Sequence, residues 1–378
     1  MTTKIYIIAG EASGDLLGSN LANALIKQQS DLTLRGIGGD LMRDANVDLL
    51  FGYDEIAVMG LIELIPHIRR IKKLIQKTID DICEFKPDIL VTIDSPGFCN
   101  RVITGVKART NIPCVHYVAP SVWAWRPKRA YKLAKWVRVD HLMCLFPFEP
   151  PYFTTHGLPT TVVGHPISSM DWTVDDALPK TLGLNPLKKN ICLLPGSRRG
   201  EIKKHLAIFA ETVKDLDANI LIPTFDKFAD EIKTALPSAY IITDTLLKQK
   251  AMTLCDVALA ASGTVSLELA MAKTPMIIAY RASWLTVLLL KRRVTLSSVC
   301  LVNILLGKKV VLEYLQEACN AKDLKLALMA LLDGENPDGT TTEQTPKLFD
   351  QIRQLLTPSD GKMPAEKAAE VVLSYVSK

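Results

Sequence analysis

Two turns in the second half of the chain have the residue types of a site for nucleotide phosphates. Each follows an apolar run and precedes a helical pattern, and their residues are Gly196, Ser197 and Arg198 in the first turn and Ser262, Gly263 and Thr264 in the second. Backbone N–H groups at a helix start are unpaired and partly positive, so glycine there lets a phosphate approach them. The Arg198 guanidinium would add a charge-assisted hydrogen bond of about 1.5–3 kcal/mol. Together the turns predict a cradle for a nucleotide diphosphate.

Acidic residues in the same half are candidates for binding the ribose of the nucleotide or a metal ion. Glu268 lies four residues after Thr264, where a carboxylate can accept both ribose hydroxyl groups. The alternative is a favourable interaction with the helix dipole. Asp215 and Asp217 have the spacing of a metal-binding pair, but they precede an apolar strand instead of following one. We interpret them as surface residues and expect no metal ion and no other cofactor.

The first loop of the chain, residues 10–15, lies between a predicted strand and a predicted helix. Within these six residues Glu11, Ser13 and Asp15 supply two carboxylates and a hydroxyl group. Such a loop is suited to bind the hydroxyl groups of a sugar ring at the edge of a sheet. The alternative is a plain turn in which Ser13 or Asp15 caps the following helix. Because the polar groups are so dense, we favour a substrate-binding loop.

Asp94 is the candidate general base. It follows the apolar run 89–93 and precedes a Ser-Pro-Gly turn, which places its carboxylate at the carboxyl edge of a sheet. Open α/β folds place reacting groups at that edge. Position alone equally allows Asp94 to cap the next helix.

Asn100 and His116 are further candidates near that edge. Asn100 is suited to orient a substrate hydroxyl group or to satisfy a turn. His116 ends the next predicted strand and is a rival base, although a lone histidine near a core strand more often makes a structural hydrogen bond.

An aromatic and basic segment follows His116. It contains two tryptophans and four cations: Trp123, Trp125, Arg126, Lys128, Arg129 and Lys132. Aromatic rings beside cations can hold a sugar face and a phosphate together. Core packing explains one tryptophan well but two less readily. We therefore count Trp125 and Arg126 among the candidate substrate-binding residues.

Continuous apolar runs alternate with helical patterns along the chain, which is typical of parallel strands covered by helices on both faces. The predicted strands are 5–9, 89–93, 114–117, 142–145 and 161–163 in the first half, and 191–194, 220–222, 240–242, 257–260 and 276–279 in the second. A polar stretch at 164–178 interrupts the pattern and is the predicted hinge. The fold class is therefore α/β, with two Rossmann-like domains that face a cleft.

The length of 378 residues suits two domains of about 150–200 residues each. We place an N-terminal Rossmann-like domain at residues 1–167 and a C-terminal nucleotide-binding one at 168–350. Residues 351–378 form a predicted helical tail.

The composition is that of a soluble globular protein, with 48 % hydrophobic and 22 % charged residues. The eight cysteines lie far apart and lack zinc-site spacing, which indicates reduced thiols in a cytoplasmic protein. The N-terminal apolar run reaches glycine too soon for a secretory signal, so we expect a cytoplasmic location.

The net charge of +5 is modest, but the cations are bunched in 69–77, 126–138, 198–204 and 291–293. Such clusters favour phosphates or an anionic membrane surface, although a solvated helix face is the default interpretation of any one cluster. We expect no nucleic acid partner, because the chain has no zinc finger and no RNP-type strand.

Two segments are candidates for contact with a membrane. The longest apolar stretch, 284–290, is far shorter than the roughly 20 residues needed to cross a bilayer. Residues 58–77 have apolar side chains at helical spacing beside five cations. This pattern is typical of a helix lying on a membrane, but also of a core-facing helix with a solvated basic side. The apolar run closed by three cations at 284–293 favours membrane association.

Seven blocks, in one order over nearly the whole chain, resemble the lipid-A-disaccharide synthase family. They are Ala9-Gly10-Glu11-Ala12-Ser13-Gly14-Asp15, Ala57-Val58-Met59-Gly60, Ile93-Asp94, His116-Tyr117-Val118, Pro120-Ser121-Val122-Trp123-Ala124-Trp125-Arg126, Leu194-Pro195-Gly196-Ser197-Arg198 and Ala261-Ser262-Gly263-Thr264. Seven blocks are far more specific than a single glycine loop.

The resemblance implies a peripheral membrane glycosyltransferase of the GT-B type. Such an enzyme moves 2,3-diacylglucosamine from UDP onto the 6-hydroxyl group of 2,3-diacylglucosamine 1-phosphate, giving a β(1→6) disaccharide 1-phosphate and UDP in lipid A biosynthesis. The partners implied are UDP-diacylglucosamine, diacylglucosamine 1-phosphate and the inner face of the cytoplasmic membrane. The first domain would bind the acceptor and face the membrane, and the second would bind the UDP-sugar. A homodimer with exchanged carboxyl-terminal parts is also implied.

The resemblance assigns roles to particular residues as well. Asp94 matches the family's catalytic aspartate, and Arg198 matches its phosphate-contacting arginine. Asn303, Gln316 and Glu317 match family positions near the nucleotide.

These assignments predict a single displacement with inversion. Asp94 removes the acceptor's proton while Arg198 and the helix start after Gly196 stabilise the leaving UDP. Two alternatives remain. A sugar-nucleotide 2-epimerase shares the architecture but has no use for a lipid-facing helix. A non-catalytic basic protein that binds nucleic acid or membrane predicts salt-sensitive binding that does not need Asp94.

Overall fold

The structure is a computed structural model that describes residues 2–56, 64–125, 128–282, 298–335 and 342–376, with backbone alone at 64–68 and 124–125. The chain forms two compact units. Unit 1 contains Met1–Ser169 together with Leu356–Lys378, and unit 2 contains Met170–Leu355. Unit 1 is therefore built from both ends of the chain, which the sequence pattern does not predict.

The strands of unit 1 form one parallel sheet. They are β1 Thr3–Ala9, β2 Leu32–Gly38, β3 Asp48–Gly52, β4 Ile89–Ile93, β5 Cys114–Tyr117, β6 His141–Cys144 and β7 Thr160–Val162. Their order is β3-β2-β1-β4-β5-β6-β7, so the direction in which strands are added reverses between β1 and β4. That reversal is the switch point of a doubly wound fold, where ligands bind beyond the carboxyl ends of the strands.

Helices connect these strands. They are α1 Ala12–Gln28, α2 Asp40–Asp44, α3 Leu64–Phe85, α4 Pro96–Lys107, α5 Val122–Trp125, α6 Lys128–Lys132 and α7 Pro151–Thr154. A π-helical turn, Leu133–Val137, continues α6. β2 and β3 are not predicted from the sequence, because β2 carries Arg35 and two glycines and β3 is short, so neither is a continuous apolar run.

A network of hydrogen bonds attaches α3 to the sheet. The fully buried Tyr6 on β1 donates its hydroxyl group to Asp81 on α3 at 2.7 Å. Arg35 on β2 donates to both carboxylate oxygens of Asp81, at 2.7 and 3.0 Å. Burial and this hydrogen bond raise the pKa of Tyr6, which keeps its hydroxyl group a donor. One carboxylate therefore joins three elements.

The helix α3 covers part of the predicted membrane segment 58–77. Ile71 and Leu74 pack against the core of unit 1, and Ile75 is buried. This part of the segment has the core-facing packing that the sequence leaves open as an alternative. Leu61 and the side chains of 64–68 lie outside the described residues, as does 284–293. Within the described part of the chain, no helix is long and apolar enough to cross a membrane.

The strands of unit 2 form a second parallel sheet. They are β8 Lys189–Leu194, β9 Ala218–Pro223, β10 Tyr240–Ile242, β11 Val257–Ala261, β12 Met276–Tyr280 and β13 Leu312–Leu315. Their order is β10-β9-β8-β11-β12-β13, with a switch point between β8 and β11. Each strand that the sequence predicts in either half is confirmed. The additional β13 is half-buried and carries Glu313, so it does not read as an apolar run.

Helices pack on both sheets to complete the fold. Those of unit 2 are α8 Leu178–Leu182, α9 Arg199–Val213, α10 Asp226–Ala235, α11 Thr245–Thr253, α12 Val265–Met271, α13 Leu301–Leu306, α14 Ala321–Leu332 and α15 Thr345–Leu356. The last helix, α16 Pro364–Val376, returns to unit 1. There Glu366 accepts a hydrogen bond from Lys27 on α1 at 3.1 Å, and Tyr375 contacts His141 on β6 at 3.2 Å.

The network around Asp81 gives a stability prediction. Asp81→Ala leaves the Tyr6 hydroxyl group and the Arg35 guanidinium without their acceptor, so it should lower the free energy of unfolding by about 1–3 kcal/mol. Urea unfolding measures the change. The matched control is Asp80→Ala, because Asp80 is 57 % exposed and pairs with Arg109 on the surface, where ion pairs contribute little. Equal effects of the two substitutions would contradict the role of the network.

Candidate functional site

The candidate reacting group lies at the switch point of unit 1. β1 and β4 are neighbours, with Ala9 opposite Ile93, so the turns that follow them meet at the carboxyl edge. The two turns are in close contact, because a Cβ atom on Gly10 would lie 2.1 Å from Oγ of Ser95. Glycine at position 10 therefore allows the two turns to approach each other.

The backbone at Asp94 is held in an uncommon conformation. φ is +47° at Asp94 and +43° at Ser95, both in the left-handed region. The Asp94 N–H donates to the carbonyl oxygen of Tyr117 on β5 at 2.9 Å. A non-glycine residue in this region costs of order 1–3 kcal/mol, and such residues cluster at active sites. Ser95, not Asp94, is the N-cap residue of α4, so the alternative that Asp94 caps this helix is not what the structure shows.

The environment of Asp94 makes its carboxylate a stronger base than usual. Burial, and then the nearby negative charge of Glu11, raise the pKa of Asp94 to about 6. Glu11 lies in the turn after β1 and accepts a hydrogen bond from the Ser13 hydroxyl group at 2.7 Å. A carboxyl group with this pKa is ionised at neutral pH and is well matched to accept a proton from a substrate.

Asp15, predicted to lie in a substrate-binding loop, and His116, a candidate residue near the same edge, both have structural partners. Asp15 is buried, and its oxygens accept hydrogen bonds from three backbone N–H groups within 39–42 at 2.6–3.2 Å. It therefore holds the start of α2, not the start of its own helix. The buried His116 ring hydrogen bonds to the Thr92 hydroxyl group at 2.8 Å. Burial lowers the pKa of His116 to about 4, so the ring is neutral at pH 7.

Asn100 offers an unused polar group close to the same edge. It lies on α4, and its Oδ1 atom is buried without a hydrogen-bond partner in the described part of the chain. A buried acceptor without a donor is costly, so it marks a place for a substrate hydroxyl group or a water molecule. The Trp125 side chain and Arg126 lie outside the described residues.

The switch point of unit 2 brings the two glycine turns together. β8 and β11 are neighbours, with Leu194 opposite Ala260, and each runs through a turn into a helix. The predicted strand, turn and helix pattern is confirmed for both segments. The turns at 196–198 and 262–264 therefore lie at one sheet edge.

Glu201, which is not among the residues predicted to form the site, shapes the first turn. Gly196 has φ of +133°, and a Cβ atom there would lie 2.5 Å from Cβ of Glu201. Oε2 of Glu201 accepts hydrogen bonds from the N–H groups of Ser197 and Arg198 at 3.0 and 3.3 Å. The expectation that these helix-start amides are unpaired is therefore wrong, because a carboxylate of the same chain satisfies them. A glutamate three residues after a helix N-cap is the sequence signal that predicts this arrangement.

The charge offered to an anion at this turn comes from a side chain. The Arg198 side chain is 81 % exposed and lies 3.6 Å from Glu201. Behind the turn, the buried His205 ring contacts the carbonyl oxygen of Pro195 at 3.0 Å and accepts a hydrogen bond from the Arg281 N–H at 3.0 Å. Burial lowers the pKa of His205, which keeps the ring neutral so that one nitrogen donates and the other accepts. His205 thus ties the turn after β8 to the end of β12.

The second turn leaves room and a carboxylate at its helix. Among the described residues no atom lies within 4 Å of a Cβ atom built on Gly263, and the Ser262 hydroxyl group donates to the carbonyl oxygen of Val299 at 2.9 Å. Burial raises the pKa of Glu268, opposed by the positive charge of Lys248, and no hydrogen bond from the described residues contributes. A half-buried carboxylate of this kind is a candidate acceptor for two ribose hydroxyl groups.

Asn303, Gln316 and Glu317, which the family resemblance places near the nucleotide, differ in their surroundings. The buried Asn303 side chain accepts from the N–H groups of Val310 and Val311 at 2.8 Å and donates to the Val311 carbonyl oxygen at 2.8 Å. Its polar atoms are occupied by the loop before β13. Gln316 and Glu317 follow β13 directly, at the same carboxyl edge as the glycine turns, and Gln316 has φ of +56°.

The two doubly wound units define the class of the protein. Solved structures with this fold include a UDP-GlcNAc 2-epimerase from Neisseria meningitidis bound to UDP-GlcNAc, with a TM-score of 0.61, 11 % identity and coverage of 99 % of this chain and 100 % of that chain. They also include MurG from Acinetobacter baumannii, with a TM-score of 0.60, 13 % identity and coverage of 98 % and 99 %. The fold is the two-domain Rossmann-like architecture of GT-B proteins, as the sequence predicts.

Sequence similarity narrows this class to one family. The family model described as lipid-A-disaccharide synthetase matches residues 5–369. The lipid-A-disaccharide synthases of Rhodospirillum centenum and Paramagnetospirillum magneticum are each 39 % identical to this chain, covering 99 % and 98 % of it and 95 % and 97 % of the relatives. The chain belongs to the lipid-A-disaccharide synthase family and is a hexosyltransferase of lipid A biosynthesis. The predicted resemblance is confirmed, and the roles of individual residues stay predictions.

The two glycines at the edge of unit 2 should respond differently to a methyl group. Gly196→Ala forces a strained φ and a contact with Glu201, and should lower the free energy of unfolding by about 1–3 kcal/mol. Gly263→Ala meets no neighbour in the described part of unit 2, and its free energy of unfolding should stay within about 0.5 kcal/mol of that of the unchanged protein. Chemical unfolding followed by circular dichroism measures both. A Gly196→Ala protein as stable as the Gly263→Ala protein would contradict the geometry of the first turn.

Proposed function

We propose that this enzyme transfers 2,3-diacylglucosamine from UDP to the 6-hydroxyl group of 2,3-diacylglucosamine 1-phosphate, with inversion. The products are the β(1→6) lipid A disaccharide 1-phosphate and UDP. Family membership over residues 5–369 supports the reaction. The single structural observation that carries it is Asp94, a half-buried carboxyl group of raised pKa in a strained turn at the switch point of unit 1. A mass-spectrometric assay for the disaccharide, with the two monosaccharide substrates supplied, tests it.

The proposed chemistry is one displacement. Asp94 accepts the proton of the acceptor's 6-hydroxyl group as that oxygen forms a bond to the anomeric carbon of the donor. The bond from this carbon to the UDP oxygen breaks at the same time, and its electron pair leaves with UDP. Attack from the face opposite to UDP inverts the configuration. UDP leaves as an anion, so the step needs no carboxylic acid partner, and we assign it neither a metal ion nor another cofactor.

We assign the UDP moiety to the carboxyl edge of unit 2. Arg198 contacts the phosphates, and the turn 262–264 supplies the surface on which they lie. Glu268 accepts the ribose hydroxyl groups, and Gln316 and Glu317 contribute from the turn after β13. Gly196, Ser197 and Asn303 act through shape, since hydrogen bonds within the chain occupy the Ser197 amide and the polar atoms of Asn303.

We assign the acceptor sugar to the edge of unit 1. Glu11 and Ser13 lie beside Asp94, and Asn100 supplies an acceptor atom that is free of protein partners in the described residues. Trp125 and Arg126 complete this set as the sequence predicts. Asp15 and His116 hold the surrounding turns and are better described as positioning residues.

We further propose that the enzyme acts as a peripheral protein on the inner face of the cytoplasmic membrane and as a homodimer. The acyl chains of both substrates support the membrane location. The similarity to 2-epimerases, at 11 % identity, concerns the fold alone. An epimerase would not form free UDP together with a disaccharide.

Asp94→Asn should lower kcat by roughly 10²–10⁴-fold, because it removes the proton acceptor. UDP binding, measured by calorimetry, should stay unchanged. In the unaltered enzyme kcat/KM should fall as the pH is lowered through about 6, because protonated Asp94 is no base. A near-normal rate for Asp94→Asn would refute the assignment.

The same pH profile distinguishes two roles for Glu11, which are raising the pKa of Asp94 and binding the acceptor. Glu11→Gln removes a negative charge that helps to raise the pKa of Asp94, so the midpoint of the profile should move to lower pH. Glu84→Gln, on the exposed side of α3, is the matched control and should leave the midpoint in place. A changed KM with an unmoved midpoint would show that Glu11 binds the acceptor without tuning Asp94.

Arg198→Ala should weaken UDP binding by about 10–100-fold, which is the loss of one charge-assisted hydrogen bond. Its side chain is 81 % exposed, so the stability of unit 2 should not change. Arg199→Ala, one residue further and equally on the surface, is the control. Calorimetric titration with UDP compares them. Equal affinities of the two variants for UDP would contradict the assignment of the phosphate contact to Arg198.

A further inference from the structure

Unit 1 carries an exposed aromatic surface that the proposed chemistry does not use. Trp136 is 66 % exposed, Tyr131 is 46 % exposed and Tyr152 is 42 % exposed. The rings are close to one another: the Tyr131 centroid lies 6.4 Å from that of Trp136 and 5.6 Å from that of His156, both edge to face. With the cations among them they form a surface that we name the aromatic-basic patch, and its residues are Lys128, Tyr131, Lys132, Lys135, Trp136, Arg138, Tyr152 and His156.

The exposure of these rings is imposed by the opposite face of the same segment. Ala130, Leu133, Val137 and Val139 are 1–5 % exposed and belong to the core of unit 1. Turning the segment to bury Trp136 would expose these four residues. The rings are therefore held in solvent, and a partner that covers them gains from removing apolar area from water.

The charge around the rings has one sign. Residues 126–139 contain six cations and no carboxylate. In the part of the chain that the structure describes, Lys132, Lys135 and Arg138 form no ion pair. Other surface cations of unit 1 do form ion pairs, as Lys27 does with Glu366 at 3.1 Å. The aromatic-basic patch is thus complementary to an anionic partner.

We propose that the aromatic-basic patch docks unit 1 onto an anionic lipid bilayer. Tryptophan and tyrosine side chains favour the boundary between headgroups and acyl chains, because one end of each ring is apolar and the other is polar. Long basic side chains keep their charges at the headgroups while their stems lie on apolar surface. The patch is separate in sequence from 58–77, so it provides a docking surface whether or not that segment also contacts lipid.

A lipid bilayer fits the patch better than a second copy of the chain does. Two copies that met through the same face would place these cations opposite one another, which is unfavourable. The inference rests on the proposed function in one respect: substrates with acyl chains are reached at a lipid surface.

Binding to lipid vesicles tests the role of the cations. Vesicles of phosphatidylcholine with and without phosphatidylglycerol, free of sugar nucleotide, are mixed with the protein and sedimented. Each cation near an anionic surface contributes about fivefold to binding, so the triple variant K132Q, K135Q and R138Q should bind the anionic vesicles about a hundredfold more weakly. The control K180Q, K322Q and K347Q makes the same change of charge on exposed residues of unit 2 and should bind nearly as the unaltered protein does.

Substitution of the rings tests how the patch meets the bilayer. Trp136→Phe should abolish part of the fluorescence quenching that brominated acyl chains cause, and Y131S with W136S should weaken vesicle binding. Leu187→Ser, at a position 93 % exposed in unit 2, is the control and should have no effect. Thermal unfolding of each variant confirms that it is folded.

Three results would overturn the proposal. Equal loss of vesicle binding in the patch and control variants would show that only net charge matters. A molar mass of the triple variant in light scattering that is smaller than that of the unaltered protein would identify a second copy of the chain as the occupant of the patch. Duplex RNA that displaces the protein from the vesicles, by binding the patch as strongly as they do, would identify nucleic acid as the occupant. Glycosyl transfer is measured separately, in detergent micelles. Absence of transfer in that assay would contradict the proposed function but would not contradict the proposed docking surface.

Discussion

The desolvation of one carboxylate beside a second one, at the ends of adjacent strands, is the constraint on which the edge of unit 1 depends. Asp94 is half-buried next to Glu11, and the loss of water and then the negative charge of Glu11 both disfavour its ionised form. The arrangement exists because Gly10 lets the turn after β1 touch Ser95 in the turn after β4. A flat, solvated turn would leave Asp94 with the pKa of an ordinary aspartate. The packing of the two turns is thus what raises the pKa of this residue, on which its proposed role as a base depends.

At the carboxyl edge of unit 2, positive charge for an anion comes from a side chain and not from free backbone amides. Helix starts commonly bind anions through free amides, but Glu201 already satisfies two of those amides, and His205 fixes the turn from behind. Positive charge at this turn is then supplied by the Arg198 side chain, which is 81 % exposed. In the proposed mechanism, this exposed guanidinium beside a fixed turn contacts a phosphate group that leaves as part of UDP.

Much of this architecture is predictable from local pattern. Apolar runs identify the buried strands, and the parallel α/β rule places the residues after them at one edge. The strands β2, β3 and β13 carry charged residues or glycine, so they are not apolar runs and are not predicted. Hydrogen bonds between distant segments are not predictable from local pattern: Asp15 with the start of α2, or Asn303 with the loop before β13, depends on tertiary contacts. Polar residues near a site therefore divide into those that face substrate and those that hold loops only when the structure is known.

The position of α16 has a consequence for biosynthesis. Unit 1 contains residues from both ends of the chain, and α16 packs on α1. Because the residues of α16 are synthesised after those of unit 2, α1 lacks this neighbour at a time when unit 2 is already complete. The side of α1 that contacts α16 stays uncovered during that interval, and such exposed surface on an incomplete unit favours aggregation of the nascent chain.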